Sequence, residues 1–278
     1  MDTMKKTVKR IIIFIMLLII IFLFLIAPGR GKDTSRFTGW NYAHRGYFDN
    51  ENGIPENSLL SFEKAVEKGF GIELDVQLSS DGVAMVFHDA DLERVCGVKG
   101  KIWEYTADEL QSMRLFGTEH TIPTLAQALE LIDGRVPLLV EYKMDRVDTA
   151  VCAVGQALLD EYRGAYCVQS FDPRALIWYR QNAPQTVRGQ LAQEFWKEEK
   201  YAGKPLYTAL SFMVGNVATR PDFISYKFTD SSNIALKLCR LMGADAACWT
   251  LRSPQDYEQV QGNFNMYIFD SFDISACQ

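Results

Sequence analysis

The stretch Gly71-Ile72-Glu73-Leu74-Asp75-Val76-Gln77-Leu78-Ser79-Ser80-Asp81-Gly82-Val83-Ala84-Met85-Val86-Phe87 holds two β-rich segments, 71–77 and 83–87, with five residues between them. A parallel crossover needs about a dozen residues or more, so the two segments form an antiparallel hairpin turned at Ser80-Asp81-Gly82. Along the first segment the side chains alternate, with Ile72, Leu74 and Val76 on one face and Glu73, Asp75 and Gln77 on the other. If the apolar face packs on helices, two carboxylates point away from them, into the interior of a closed sheet.

Working outward, further β-rich segments occur at 41–44, 137–142, 165–169, 187–191, 222–226, 246–250 and 266–269. Helical patterns separate most of them, at 58–68, 124–132, 147–162, 173–182, 232–242 and 254–261. In the first of these, Leu59, Phe62, Ala65 and Val66 share one face while Glu63, Lys64, Glu67 and Lys68 occupy the other. Strand–helix repeats over about 240 residues fit an α/β fold, a (β/α)8 TIM barrel. Nine β-rich segments are one too many, and the return strand of the hairpin, 83–87, is the extra one. The barrel domain is expected over 38–278, with a small inserted subdomain at about 83–122 after the second barrel strand. Folding the hairpin also brings Glu73 beside His88, at the end of the return segment.

Ahead of the barrel, residues 11–27 form an unbroken apolar run of 17 residues, preceded by Lys5, Lys6, Lys9 and Arg10. At ~1.5 Å per residue the run reaches roughly 25 Å, the short end of a bilayer span. It ends Leu25-Ile26-Ala27-Pro28-Gly29 without an A-x-A-like cleavage site, so it is read as an uncleaved single-pass transmembrane anchor rather than a signal peptide. Residues 1–10 are then a basic N-terminus on the inner side, 28–37 a linker, and the barrel lies outside the cytoplasm. Every candidate site residue follows the anchor, so the domain is expected to fold and act without residues 1–31. Composition adds exclusions. The 29 Lys and Arg against 35 Asp and Glu weigh against nucleic acid as partner, since phosphate backbones are held by clustered cations. Six cysteines without C-x-x-C spacing argue against a structural zinc site or a disulfide framework.

The polar residues on the strands carry the chemistry. Segment 137–142 runs into Lys143 and repeats the alternation of the hairpin strand, with Glu141 and Lys143 facing inward together. Ionised carboxylates inside a barrel are costly unless paired or metal-bound. Glu73, Asp75 and Glu141 therefore read as an oxygen-rich site for one divalent cation, Mg²⁺ or Ca²⁺. The competing reading, an exposed charged edge strand, would have to hold for both strands at once. Of three histidines, His44 closes the first strand and His88 closes the hairpin, each beside a charged neighbour, whereas His120 sits in a polar loop. An imidazole near pKa 6.5 both gives and takes protons at neutral pH, which suits His44 and His88 to acid–base work.

These motifs together carry a resemblance. His44-Arg45-Gly46, Pro55-Glu56-Asn57-Ser58, Glu73-Leu74-Asp75-Val76, Asp81-Gly82, His88-Asp89, Pro123-Thr124-Leu125, Glu141-Tyr142-Lys143, Ser170-Phe171 and Trp249-Thr250 resemble, in order, the glycerophosphodiester phosphodiesterase family. The resemblance implies a TIM barrel with an insertion after the second strand. It also implies that His44 and His88 form the acid/base pair and that Glu73, Asp75 and Glu141 hold a divalent ion. Arg45 and Lys143 would bind the phosphate, and Trp249 would line the glycerol side. The implied reaction is metal-dependent hydrolysis of small-molecule glycerophosphodiesters to sn-glycerol 3-phosphate and an alcohol. The chain departs from the family pattern where Ile268-Phe269-Asp270-Ser271 replaces a Thr-Asp near the last strand, and where Arg94-Val95-Cys96 replaces Arg-Thr-Thr. Two alternatives are a related barrel phosphodiesterase acting on intact phospholipid, phospholipase D-like, and an inactive surface binding module. The aromatic residues Phe195, Trp196, Tyr201, Tyr207 and Phe212 would suit a lipid, but are read first as packing.

Overall fold

A computed structural model of the chain describes residues 2–144 and 148–277. Its strands are β1 (Asn41–His44), β2 (Gly71–Leu78), β3 (Ala84–Val86), β4 (Leu138–Tyr142), β5 (Tyr166–Ser170), β6 (Arg188–Ala192), β7 (Phe223–Lys227), β8 (Asp245–Leu251) and β9 (Met266–Phe269). All neighbours pair in parallel except β2 and β3, which pair antiparallel with Val76 opposite Val86 and Leu78 opposite Ala84. Because β1 pairs both β2 and β9, eight strands close into a barrel and β3 stays outside it. The hairpin turns where expected, with Gly82 at φ 82°.

The helices are α1 (Asp2–Ile26), α2 (Leu59–Glu67), α3 (Glu93–Cys96), α4 (Ala107–Ser112), α5 (Leu125–Ile132), α6 (Ala150–Glu161), α7 (Pro173–Asn182), α8 (Pro205–Ser211), α9 (Asn216–Thr219), α10 (Ile234–Leu241) and α11 (Pro254–Val260). Their starts are written into the sequence. Ser58 and Thr124 cap α2 and α5 in reciprocal capping boxes, and Asp172 caps α7 ahead of Pro173. Most ends fall within two residues of the sequence reading. The expected start of the third pattern at Val147 lies outside the described residues.

Strand alternation builds two cores. Ile72, Leu74 and Val76 pack outward with Phe62 and Leu125, while Tyr42, Leu139, Cys167, Phe223, Ala247 and Met266 fill the barrel's N-terminal end. Two residues further along β1, β4, β5 and β8 the inward positions become His44, Glu141, Gln169 and Trp249. The barrel is thus plugged by apolar side chains below and polar above, at the mouth where barrel enzymes place their sites. Met85, Phe87, Leu92, Ile102, Leu110 and Ile122 give the insertion a small core of its own.

The segment before the barrel is not a free tether. Ile26 is fully buried, and its carbonyl accepts from Asn216 Nδ2 at 2.9 Å. Arg220 Nη1 donates to the carbonyls of Phe24 (3.0 Å) and Ala27 (2.8 Å). Lys32 pairs with Asp222 at 2.9 Å, and Phe37 is buried under Tyr42. The last turn of α1 is thus part of the domain's wall.

Candidate active site

The site is assembled by strand ends that sequence separation keeps far apart. His44 ends β1, and the chain turns at once through Arg45 (φ 59°) and Gly46 (φ 81°). A Cβ at Gly46 would collide with Ser61, so only glycine lets the turn fold back onto α2. That turn aims the Arg45 backbone N–H at Glu73 Oε2, 3.2 Å away. A left-handed arginine is a strained choice of the kind that clusters at functional sites. On the hairpin side, buried Gln77 donates through Nε2 to the carbonyls of Phe87 (2.9 Å), His88 (3.2 Å) and Asp89 (2.8 Å). It thereby fixes the backbone that carries His88 over the mouth.

Glu73, Asp75 and Glu141 converge as the sequence suggests. One carboxylate oxygen from each lies within 4.8 Å of the others, and all three residues are buried. Lys143 reaches Glu141 Oε1 at 2.5 Å and Asp75 Oδ1 at 3.0 Å, and Arg45 Nε lies 3.6 Å from Asp75. Asn57 donates to Asp75 Oδ2 at 2.8 Å. Burial works against the Asp75 charge, but Lys143, His88 and Arg45 outweigh it and hold this carboxyl far below its ordinary value. Glu73 goes the other way, pushed well above its ordinary value by burial and by the carboxylates of Asp75 and Glu141. Asp75 Oδ1 is also buried without a well-directed hydrogen bond. Three buried carboxylates against Lys143 and Arg45 leave an excess of negative charge that a divalent cation would relieve, and an all-carboxylate donor set suits a hard cation. The residues fit such an ion.

Each histidine has its own carboxylate. His44 Nδ1 lies 2.7 Å from Asp270 Oδ1, and His88 Nδ1 lies 2.6 Å from Asp89 Oδ1. With Nδ1–H donating to the carboxylate, Nε2 is presented to the cavity. Burial lowers the His44 pKa more than its bond to Asp270 raises it. Both aspartates are held below their ordinary range against burial, with His44 and Arg252 on Asp270, and His88 and Arg94 on Asp89. Arg94 also reaches Glu56, which pairs with Arg45 at 2.7 Å.

A cavity of about 160 Å³ is lined by His44, Arg45, Glu73, His88, Glu141, Lys143 and Trp249 among others. The structure thus brings seven of the eight candidate residues around one space, with Asp75 directly behind them. His120 does not line this space. The sequence reading missed Asp89, Asp270, Gln77 and Glu56 as supporting groups. Asp270 had a usable signal: barrel closure pairs Ala43 with Phe269, which sets Asp270 beside His44. The aromatic residues pack as expected, Phe195 against Tyr201 and Tyr207, Tyr201 on Tyr207 and Trp196 on Phe212, and part of the group has a second face. Phe195, Tyr201 and Tyr207 line a cleft of about 790 Å³ that opens from Glu141, Lys143 and Trp249. They do both because the connection after β6 folds as α8 beside the mouth, with Phe195 buried and Tyr201 and Tyr207 half-buried.

Fold and site together define a TIM-barrel enzyme with paired histidines above a buried carboxylate cluster. The sequence profile of the glycerophosphoryl diester phosphodiesterase family matches residues 44–273, and the chain belongs to that family of phosphodiester hydrolases. A glycerophosphodiester phosphodiesterase of Caldanaerobacter subterraneus is 31% identical over 185 residues, covering 59% of this chain and 74% of that protein. Another, from Bacillus altitudinis, is 39% identical over 110 residues, but the match spans only 44% of its length and 37% of this chain. The glycerophosphodiester phosphodiesterase of Thermotoga maritima superposes with TM-score 0.64 at 26% identity, covering 85% of this chain and 96% of that one. A phosphodiesterase of Oleispira antarctica, solved with its product sn-glycerol-3-phosphate, shares the fold with TM-score 0.69 at 22% identity, covering 86% and 96%.

Proposed function

We propose that the protein hydrolyses glycerophosphodiesters to sn-glycerol 3-phosphate and an alcohol, by acid–base catalysis from His44 and His88. The observation that carries this reading is that two histidine–aspartate pairs face one small cavity over a buried carboxylate cluster. A phosphodiester is anionic and repels nucleophiles, so Arg45 and Lys143 first neutralise its non-bridging oxygens. One Mg²⁺ or Ca²⁺ held by Glu73, Asp75 and Glu141 would add charge neutralisation there. The glycerol hydroxyl next to the phosphorylated carbon attacks phosphorus as one histidine takes its proton. The other histidine protonates the departing alcohol oxygen. Water then opens the resulting cyclic phosphate with the proton roles reversed. Trp249, between the small cavity and the larger cleft, packs on the glycerol side.

Turnover of a panel of glycerophosphodiesters and phospholipids, with and without chelator, tests the reading. Chelator-sensitive release of sn-glycerol 3-phosphate from small diesters supports it. Turnover of phospholipid alone would favour the second reading, a lipid-directed phosphodiesterase, for which the aromatic cleft of about 790 Å³ speaks. No turnover of any of them would leave a binding module. We also infer that α1 is a single membrane span with its basic end in the cytoplasm and the barrel outside, resting on its length, its apolar character and the preceding Lys5, Lys6, Lys9 and Arg10.

A further inference from the structure

The apolar run at 11–27 does not belong to one solvent. Its end is docked on protein: Ile26 is buried and bonded to Asn216, and the Cys239 thiol lies 3.2 Å from the same carbonyl. Phe22 and Leu23 also pack against the barrel's outer core. From Met4 to Ile21 the large apolar side chains are all exposed. The exposed apolar part clear of Lys5, Lys6, Lys9 and Arg10, Ile11–Ile21, rises only roughly 16 Å, so a hydrocarbon core must also take in the half-buried turn from Phe22 to Leu25. The bilayer surface nearest the barrel therefore falls within the turn where α1 meets protein, between Phe22 and Ile26.

What lies beside Phe22 is the outer wall of the catalytic cleft. The Phe22 ring packs edge-on against Phe212 at 6.4 Å, and Phe212 packs on Trp196 at 5.1 Å. Trp196 belongs to the connection that leaves β6 at the barrel mouth. Moving back along α1 from Ile26 to Phe22 thus follows the 193–216 connection upward, from the barrel's flank toward its mouth. That connection has the composition of an interfacial segment. It exposes Lys197, Lys200, Lys204 and Leu206 around Trp196, Tyr201 and Tyr207, with Lys197 paired to Glu194 and Asp230 and Lys200 to Glu198. Lys200 and Lys204 sit over the rings of Tyr201 and Tyr207. Aromatic residues with lysines beside them are what the headgroup layer favours. Leu206, 65% exposed, is among the few large apolar side chains outside α1 that face solvent, and it also lines the cleft.

We propose that residues 193–212 rest on the surface of the membrane that α1 spans, so that the barrel mouth and its cleft face the lipid headgroups. The docked last turn of α1 acts as a joint that holds this orientation, where a loose tether would let the domain tumble. The proposal rests on α1 being a span, and the test separates the two. Full-length protein is reconstituted in vesicles of phosphatidylcholine and phosphatidylglycerol containing nitroxide-headgroup lipid. Probes are placed by Leu206→Cys, by Lys204→Cys and, as the remote comparison, by Leu241→Cys, in a background with Cys96→Ser and Cys277→Ser. Leu241 is 83% exposed at the end of α10, away from the mouth. Expected is retention in the vesicles after an alkaline wash, with fluorescence lost at 204 and 206 and kept at 241. Retention with no loss at 204 and 206, or with equal loss at 241, overturns the orientation while leaving the anchor intact. Release by the wash overturns the anchor and the orientation with it.

Discussion

Asp75→Asn and Glu73→Gln remove one charge each from the same carboxylate cluster, and the structure assigns them opposite effects on the metal-free protein. Asp75 is fully buried between Lys143, Arg45 and Asn57. Neutralising it breaks the buried carboxylate's pairs with both cations, which keep only Glu141 and Glu56, a loss of roughly 3–5 kcal/mol. At ~2–4 °C per kcal/mol for a domain of this size, the melting temperature falls by roughly 6–20 °C. Glu73 is a carboxyl whose charge its neighbours resist, since burial, Asp75 and Glu141 push it well above its ordinary value. A raised carboxyl detracts from folding as pH rises above its unfolded value, so Glu73→Gln leaves metal-free stability unchanged or higher at pH 7. Gln can keep an oxygen for the Arg45 N–H. Both variants lose a metal ligand. A cation at 100 times its Kd stabilises wild type by ~2.7 kcal/mol, a rise of roughly 5–11 °C that neither variant retains in full. Scanning calorimetry in chelator and in excess Mg²⁺ or Ca²⁺ reads all three numbers. A full metal-induced rise in either variant refutes the metal site, and a metal-free Glu73→Gln that melts as low as Asp75→Asn refutes the charge assignment.

His44→Ala and His88→Ala should each cost on the order of 10²–10⁴ in kcat with metal retained, and the double variant much less than the product; near-wild-type turnover by His88→Ala would remove it from the mechanism. His120→Ala should leave kcat unchanged. Asp270→Asn and Asp89→Asn remove the groups that orient the two rings, and should lower kcat more than they raise KM; an effect confined to KM would make them substrate contacts. His44 is half-buried, and its loss of solvent holds its pKa below the ordinary 6.5, so protonation is disfavoured in the folded state. Its contribution to stability is complete above about pH 6.5 and is lost as pH falls through the lower folded value; His44→Gln should flatten that part of the stability–pH curve. Deleting residues 1–20 keeps the α1 joint, whereas deleting 1–31 removes Ile26 and its bonds. The longer deletion should be about 3 kcal/mol less stable, read as a lower melting temperature, and equal melting would show the joint to be idle.

The barrel was legible because its rules are local. A loop too short for a crossover identified β3 as the odd strand, and period-2 alternation on β2 and β4 placed Glu73, Asp75 and Glu141 on the inner face. The two histidines were legible from strand ends. Their partners were harder, because the Asp270 contact with His44 spans 226 residues and exists only once β9 has closed on β1. Gln77 was placed facing inward, but its bonds to Phe87, His88 and Asp89 depend on the geometry of the turn. The docking of α1 was not legible at all. A uniformly apolar run carries no mark of where lipid ends and protein begins, and Asn216 and Arg220, which receive it, look like ordinary polar helix residues.

The proposed chemistry depends on the hydroxyl that neighbours the phosphorylated carbon of the glycerol unit. The decisive comparison is turnover of a glycerophosphodiester against its analogue lacking that hydroxyl, with the same alcohol, the same metal and saturating substrate. If that hydroxyl is the nucleophile that His44 or His88 deprotonates, the deoxy analogue occupies the cavity and inhibits competitively but releases no alcohol. Release of alcohol from the deoxy analogue at a rate near that of the parent diester would contradict it, and would make water the direct nucleophile.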